Sequence, residues 1–270
     1  MIKLETYTVS FENLSPIKIC FIGDFHLGVN GCAEDDLRAT INAIKNTPNT
    51  YWIGMGDYAD YREPENDKYD YEVSKYTIEE QLDILFSLFD SISEKGLGML
   101  IGNHEYRVIR RTTDNPIKRW CKDNDVIYLS HMAHLRILFS NDDNYSFIVS
   151  HGVGGGKKYG SKVNALTEFI SEHDVDAVVM GHNHSLAEWA KVELEYPNGE
   201  PKARYKVCGF SGTFYKTYQK GTSGYQERKL YPPTPIGFLC ADIDPNPNRL
   251  NNGFNLPCAS RGLQFHTIMI

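Results

Sequence analysis

The sequence predicts an α/β fold, because short apolar runs recur along the chain and stretches with helical spacing lie between them. The runs at 17–22, 51–55, 97–101, 147–149 and 177–180 are rich in Ile, Val, Leu and aromatic residues. Continuous rather than alternating hydrophobicity reads as strands buried on both faces. Between them, 34–45, 77–93, 115–122 and 161–172 repeat apolar residues at helical intervals. In the second of these, Leu82, Leu85, Phe86 and Phe89 share one face. Alternation of the two kinds of segment implies strands crossed by helices. Residues 185–244 differ: strand-like runs at 186–193, 204–210 and 236–243 are joined by Gly- and Pro-rich turns. The Asn- and Pro-rich tail after Asp244 reads as loop, and a last strand at 263–270 closes the fold. We therefore expect one domain over 1–270, with a Tyr-rich insertion at about 58–76 and a β-rich part at about 185–270.

Composition narrows the function classes. The chain has 270 residues, is 41% hydrophobic and carries a formal charge of −7. That length and apolar share support one large core. An acidic chain does not hold duplex DNA through bulk charge, since counterion release needs a basic surface. Six cysteines, at 20, 32, 121, 208, 240 and 258, contain no CxxC pair. They therefore suggest neither a zinc knuckle nor a redox dithiol. Cys20 and Cys208 fall inside apolar runs and read as core residues. Glu5 stands where a signal peptide would be apolar, and no apolar stretch reaches the roughly 18 residues that span a bilayer. Reduced thiols, a cytoplasmic setting and no membrane attachment are expected.

The chemistry lies where the buried runs end. Asp24 and His26 follow the first run. Asp57 follows the second after Gly56, and Asn103 and His104 follow the third after Gly102. His151 follows the fourth, and His182 and His184 follow the fifth after Gly181. Ligands of open α/β sheets bind outside the carboxyl ends of the strands, so strands running the same way would bring these side chains to one edge. Any one such residue is more often a cap, but fold stability does not require five strand ends filled with Asp, Asn and His. Carboxylate, imidazole and amide oxygen suit manganese, iron, zinc or nickel, with no thiolate. A carboxylate shared between two ions can hold them about 3.5–4 Å apart, a spacing suited to in-line displacement at phosphorus.

Read as motifs, GDFH (23–26), GDYAD (56–60), GNHE (102–105), SHG (150–152) and GHNH (181–184) resemble, in order, the five motifs of the calcineurin-like metallophosphoesterases, over about residues 17–190. The wording is most similar to that of small phage-type or prokaryotic phosphoesterases. The resemblance implies a four-layer α/β/β/α sandwich of two mixed sheets flanked by helices, with a dimetal site at the sheet edge. It implies one ion on Asp24, His26, Asp57 and His184 and a second on Asp57, Asn103, His151 and His182, manganese being the first candidate. It implies a metal-bridging hydroxide attacking phosphorus, and His104 over the phosphate serving the leaving oxygen. Asp60 would orient the His104 ring. Three departures narrow the subfamily. Ile101, not Arg, precedes GNHE, and Asp60 is followed by Tyr61-Arg62 rather than completing DRG, which disfavours Ser/Thr protein phosphatases. Glu105 replaces the Asp usual in double-strand-break nucleases.

The expected substrates are phosphate mono- or diesters of small or nucleotide-like molecules; a nuclease acting on single-stranded nucleic acid ends is the alternative. A non-catalytic scaffold of the same fold is a minor alternative, set against by the filled ligand positions. Three further segments keep two readings each. In GVGGGKKYG (152–160) the spacing fails the phosphate-loop pattern. The segment is either a loop, or Lys157 or Lys158 touches substrate phosphate. The Tyr-rich stretch at 58–76 is a surface insertion, or else a substrate rim or homodimer contact. The stretch at 214–231 interleaves Tyr and Phe with Lys and Arg, as an ordinary hairpin or a nucleotide surface would. Arg107 could reach a phosphate oxygen or form a salt bridge. His131, His134, His173 and His266 read as structural.

Overall fold

The computed structural model describes residues 4–62, 75–153, 158–218, 227, 230–246, 259–260 and 262–270. In chain order the elements are β1 (Thr6–Phe11), β2 (Ile17–Ile22), α1 (Glu34–Asn46), β3 (Thr50–Gly54), α2 (Ile78–Asp90), β4 (Gly96–Leu100), α3 (Asn103–Thr112), α4 (Pro116–Asp123), β5 (Tyr128–Ser130), β6 (Met132–Phe139) and β7 (Asn144–Ser150). They continue with α5 (Tyr159–Ser171), β8 (Ala177–Met180), β9 (Leu186–Glu195), β10 (Lys202–Thr213), β11 (Gly237–Ile243), β12 (Ala259–Ser260) and β13 (Leu263–Met269). The fold is mixed α/β, with a large curled sheet and, among the described residues, five α-helices. No helix among them is long and apolar enough to cross a membrane.

Local chemistry explains the helices. Three acids open α1 and Lys45 closes it, matching the helix dipole. Thr77 caps α2 by accepting from Glu80 N, and Glu80 in turn accepts from Thr77 N. Asn115 caps α4 ahead of Pro116. The predicted helices at 34–45, 77–93, 115–122 and 161–172 correspond to α1, α2, α4 and α5. Other elements lacked a sequence signal, α3 and β1 among them. In α3 only His104 and Glu105 are buried, so no apolar stripe marks it. β1 is an edge strand whose residues alternate between exposed and half-buried.

The resemblance implies two sheets; among the described residues the two halves are joined by hydrogen bonds into one large curled sheet of thirteen strands. Its path is β1-β6-β7-β8-β10-β11-β2-β3-β4-β5, with β9 on β10, β13 on β11 and β12 on β13. The physical reason is the length of β10. Its body pairs with β8 and β9, and its last two residues pair with β11 at Gly212↔Phe238 and Thr213↔Gly237. Gly212 holds φ +86°, and a Cβ there would lie 2.2 Å from Gly237 O. Only glycine lets the two halves of the sheet meet so closely.

Three buried clusters flank this curled sheet. One lies between its halves and joins Ile19, Phe21, Ile53 and Met55 to Leu135, Ile137, Phe147 and Val149. A second packs α1, α2 and α4 on the outer side of β2, β3 and β4, around Leu37, Phe89 and Trp120. A third joins Leu166 and Ile170 of α5 to Val178, Cys208 and Phe210. Cys20 and Cys208 are buried, as expected, and both are free thiols. Tyr58 and Tyr61, placed by the sequence at the start of a surface insertion, are fully buried. Residues 63–74 of that stretch lie outside the described residues, as do 247–258 of the Asn-rich tail.

Phe89 binds the second cluster together. It stacks on Trp52 at 4.9 Å and meets Tyr58, the neighbour of Asp57, edge-on at 5.4 Å. Phe89→Ala should therefore lower unfolding free energy by about 3–5 kcal/mol through the cavity it leaves, as read from urea denaturation.

Candidate metal centre

The strands that carry the predicted ligands run side by side and parallel: β2, β3 and β4 in one half, β7 and β8 in the other. Their following loops therefore leave the sheet at one edge. The loops after β2 and β3 remain zipped beyond the strands. Asp24 N donates to Gly56 O (2.8 Å), Phe25 N to Asp57 O (2.9 Å), Leu27 N to Tyr58 O (3.0 Å), and Asp60 N to Leu27 O (2.9 Å). This ladder sets Asp24 beside Asp57. Two bonds then cross between the halves of the sheet. His182 N donates to Asp24 Oδ2 at 2.9 Å, and His151 Nδ1 lies 2.7 Å from Met55 O. An Nδ1–H donated to that carbonyl leaves His151 Nε2 as the lone-pair atom.

The seven expected ligands thus come together, six of them in two groups of convergent atoms. Asp24, His26 and His184 form one group, and Asp57, His151 and His182 the other. In the first, His26 Nε2 and His184 Nε2 are 2.9 Å apart, and His184 Nε2 is 3.5 Å from Asp24 Oδ1. In the second, His151 Nε2 is 3.4 Å from Asp57 Oδ2 and 3.3 Å from Asn103 Oδ1, which brings in the seventh. Among the described residues, Asp24 Oδ1 and His182 Nδ1 are buried with no hydrogen-bond partner. Native interiors rarely leave such atoms unpaired, and lone pairs converging on one point suit a divalent cation. The residues present therefore fit a metal pair.

Electrostatics point the same way. Burial alone would push the Asp57 carboxyl up, but His151 and His104 hold it well below the usual carboxylate range. Burial works against protonation of His151, yet the Asp57 charge lifts it to about 10. Negative charge thus dominates the pocket and draws in positive charge. The backbone is also unusual here. Asp24, His26, Asp57, His182 and His184 hold φ of 50°, 48°, 51°, 66° and 52°. Non-glycine residues seldom adopt this left-handed region, at a cost of order 1–3 kcal/mol each. Gly56, with φ +89°, has a different reason: a Cβ there would lie 2.7 Å from His151 Nδ1.

His104 and Asp60 also lie at this edge, with a detail the resemblance did not imply. His104 Nδ1 is 2.5 Å from the backbone carbonyl of Asp60 and 3.6 Å from its carboxylate. The carboxylate instead stands between His104 and His26, whose Nδ1 is 3.8 Å away, and pairs with Arg62 at 3.3 Å. These three residues, His26, Asp60 and His104, make a further convergent group. Burial pushes the His104 imidazole down to about 4. Arg107 Nη2 donates to Asp60 O at 2.8 Å and lies 3.0 Å from His104 Nδ1, so its guanidinium is engaged within the protein. Lys158 is exposed at the start of α5, and Lys157 lies outside the described residues. His131, His134, His173 and His266 stand apart from the convergent groups; His266, for example, pairs with Asp242 at 3.1 Å. Of the 214–231 stretch, Phe214 is core and Tyr215 sits 5.6 Å from the His26 ring and 6.0 Å from that of His184. Residues 219–226, 228 and 229 lie outside the described residues.

The residue that sequence reasoning passed over is Glu105. Its carboxylate accepts from Gly102 N (2.7 Å), Asp57 N (2.9 Å) and Tyr58 N (2.9 Å). Burial and the charge of Asp57 push it up to about 7, against the pull of these donors. One buried side chain thus ties the loop after β4 to the loop carrying Asp57. The available signal was its place three residues after Gly102, the reciprocal half of a capping box, hidden because glycine has no capping oxygen. Glu105→Ala would leave three buried N–H groups without acceptors, at about 1–3 kcal/mol each. We expect a loss of at least about 3 kcal/mol in chemical denaturation, together with weaker metal retention after dialysis.

A family model described as calcineurin-like phosphoesterase matches residues 17–186. No curated protein matches the chain. Among solved structures, an uncharacterised Streptococcus pneumoniae protein described as a predicted phosphoesterase is similar at 11% identity and TM-score 0.38, covering 86% of each chain. Zinc-bound Vps29 from Entamoeba histolytica is similar at 11% identity and TM-score 0.37, covering 94% of this chain and 99% of its own. NAD nucleotidase from Haemophilus influenzae is similar at 11% identity and TM-score 0.38, covering 86% of this chain and 48% of its own. With its five motifs at one sheet edge and well over half its length matched, the chain belongs to the calcineurin-like phosphoesterase family.

Proposed function

We propose that this protein is a dimetal phosphoesterase that hydrolyses phosphate mono- or diesters of small or nucleotide-like substrates. The observation that carries the reading is the pair of convergent Asp/His groups with buried, unpartnered ligand atoms. Asp24, His26 and His184 would hold one divalent cation, and Asn103, His151 and His182 the other, with Asp57 between them. Manganese is our first choice and iron, zinc or nickel are alternatives. Two such cations supply Lewis acidity toward phosphoryl oxygens and an acidified water.

The chain's own residues do the rest. Glu105 holds the Asp57 loop in place. His104, held at Nδ1 by the Asp60 carbonyl, offers Nε2 as the atom that handles the proton of the leaving oxygen. The N-terminus of α3 begins at Asn103 and adds a dipole that favours a phosphate there. We further read the three clusters as a helix–sheet–sheet–helix layering, and the free thiols as those of a cytoplasmic protein.

Bis(p-nitrophenyl) phosphate and p-nitrophenyl phosphate, assayed side by side with Mn²⁺, should show turnover of at least one that is abolished by chelation. A metal-replete sample inert toward both, and toward labelled single-stranded DNA, would overturn the reading; cleavage of the DNA alone would instead favour the nuclease. Replacing Asp57 with Asn should remove both metal and activity. His104→Ala should cut turnover by about 10²–10⁴-fold while elemental analysis still finds two ions per chain. Loss of metal from that variant would refute the role given to His104.

A further inference from the structure

Away from the metal centre, β9 and β10 form a ribbon whose faces are the reverse of what a lone chain requires. On one face, the charged residues are tied to the protein's own α5 region. Lys191 bonds Ser171, Lys206 donates to His173 O at 2.7 Å and pairs with Glu193 at 2.8 Å, and Arg204 pairs with Asp174. On the other face, Val192 stands opposite Tyr205 and Leu194 opposite Ala203. Val192, Leu194 and Tyr205 are 51%, 61% and 41% exposed. This apolar face continues the core between the sheet halves, against which Ala190 packs, past the point where the core is covered. Among the described residues β9 pairs only with β10, so its outer edge meets no strand among them and offers a template for another.

We infer that β9 is a homodimer interface, pairing antiparallel with β9 of a second copy about a two-fold axis through Val192. The register follows from charge. A two-fold perpendicular to the ribbon must set one residue opposite itself. Centred on Lys191 or Glu193, it opposes like charges directly. Centred on Leu194, it sets Glu193 against Glu195 of the partner subunit. Centred on Val192, it sets Lys191 against Glu193 of the partner subunit twice over, with valine facing valine and Ala190 facing the partner's Leu194 on the apolar side. Unlike charges directly opposite stabilise a strand pair and like charges destabilise it. The edge therefore carries a pattern complementary to itself in one register, instead of the single-sign charge that keeps edges apart.

Sedimentation velocity of the full chain tests this. Wild type should sediment at twice the chain mass of 30.8 kDa. Val192→Lys and Val192→Glu should each sediment at the monomer mass, with far-UV circular dichroism spectra unchanged because the side chain is exposed. An equimolar mixture of the two should recover the doubled mass, since lysine then faces glutamate across the axis. A monomeric wild type, or a dimer that survives both substitutions, overturns the interface; a mixture that stays monomeric overturns the register.

Discussion

Everything at the functional edge depends on burying two carboxylates side by side. Asp24 is fully enclosed and Asp57 is 2% exposed, and each raises the cost of charge on the other. An isolated buried carboxylate would take up a proton instead. Here His182 N and His104 N donate to Asp24 and Asp57, at 2.9 Å in each case, and the imidazoles of His184 and His151 stand close by. The pocket is negative by construction, and cations are what its unpartnered atoms lack.

That construction requires strain, which the surrounding packing opposes. Five of the candidate ligand residues hold left-handed backbone angles that they would not choose alone. They persist because the β2 and β3 loops are zipped together, because Glu105 binds the Asp57 loop to the loop after β4, and because Phe25, Tyr58 and Phe89 pack tightly beneath. Ligand geometry and core packing are therefore one problem here. The same edge places His104, Asp60 and Arg107 in a single contact, so the His104 ring is set by backbone and guanidinium together.

The β9–β10 ribbon follows another logic. Its charges face its own α5 region and its apolar residues face outward, an inversion that makes sense when a second surface covers them. The ribbon grows from the long β10 strand that also joins the two halves of the sheet. The ribbon and the candidate metal edge thus share one mechanical support.

Much of the site was legible in the chain itself. The buried runs ending in Asp, Asn and His marked the residues that converge at one edge, because a strand's carboxyl end is where a parallel sheet presents its side chains. Amphipathic spacing marked α1, α2, α4 and α5 for the same local reason. Other features had no local signal. Glu105 is one charged residue in a short helix with no apolar stripe, and its role exists only because the Asp57 loop folds against it. The single curled sheet depends on Gly212 meeting Gly237, a contact between distant positions. The contact of His104 with a carbonyl rather than a carboxylate was decided by the Asp60 loop. Residue type and period are properties of the sequence; which donor meets which acceptor across the sheet edge is a property of the packing, and only the tertiary structure decides it.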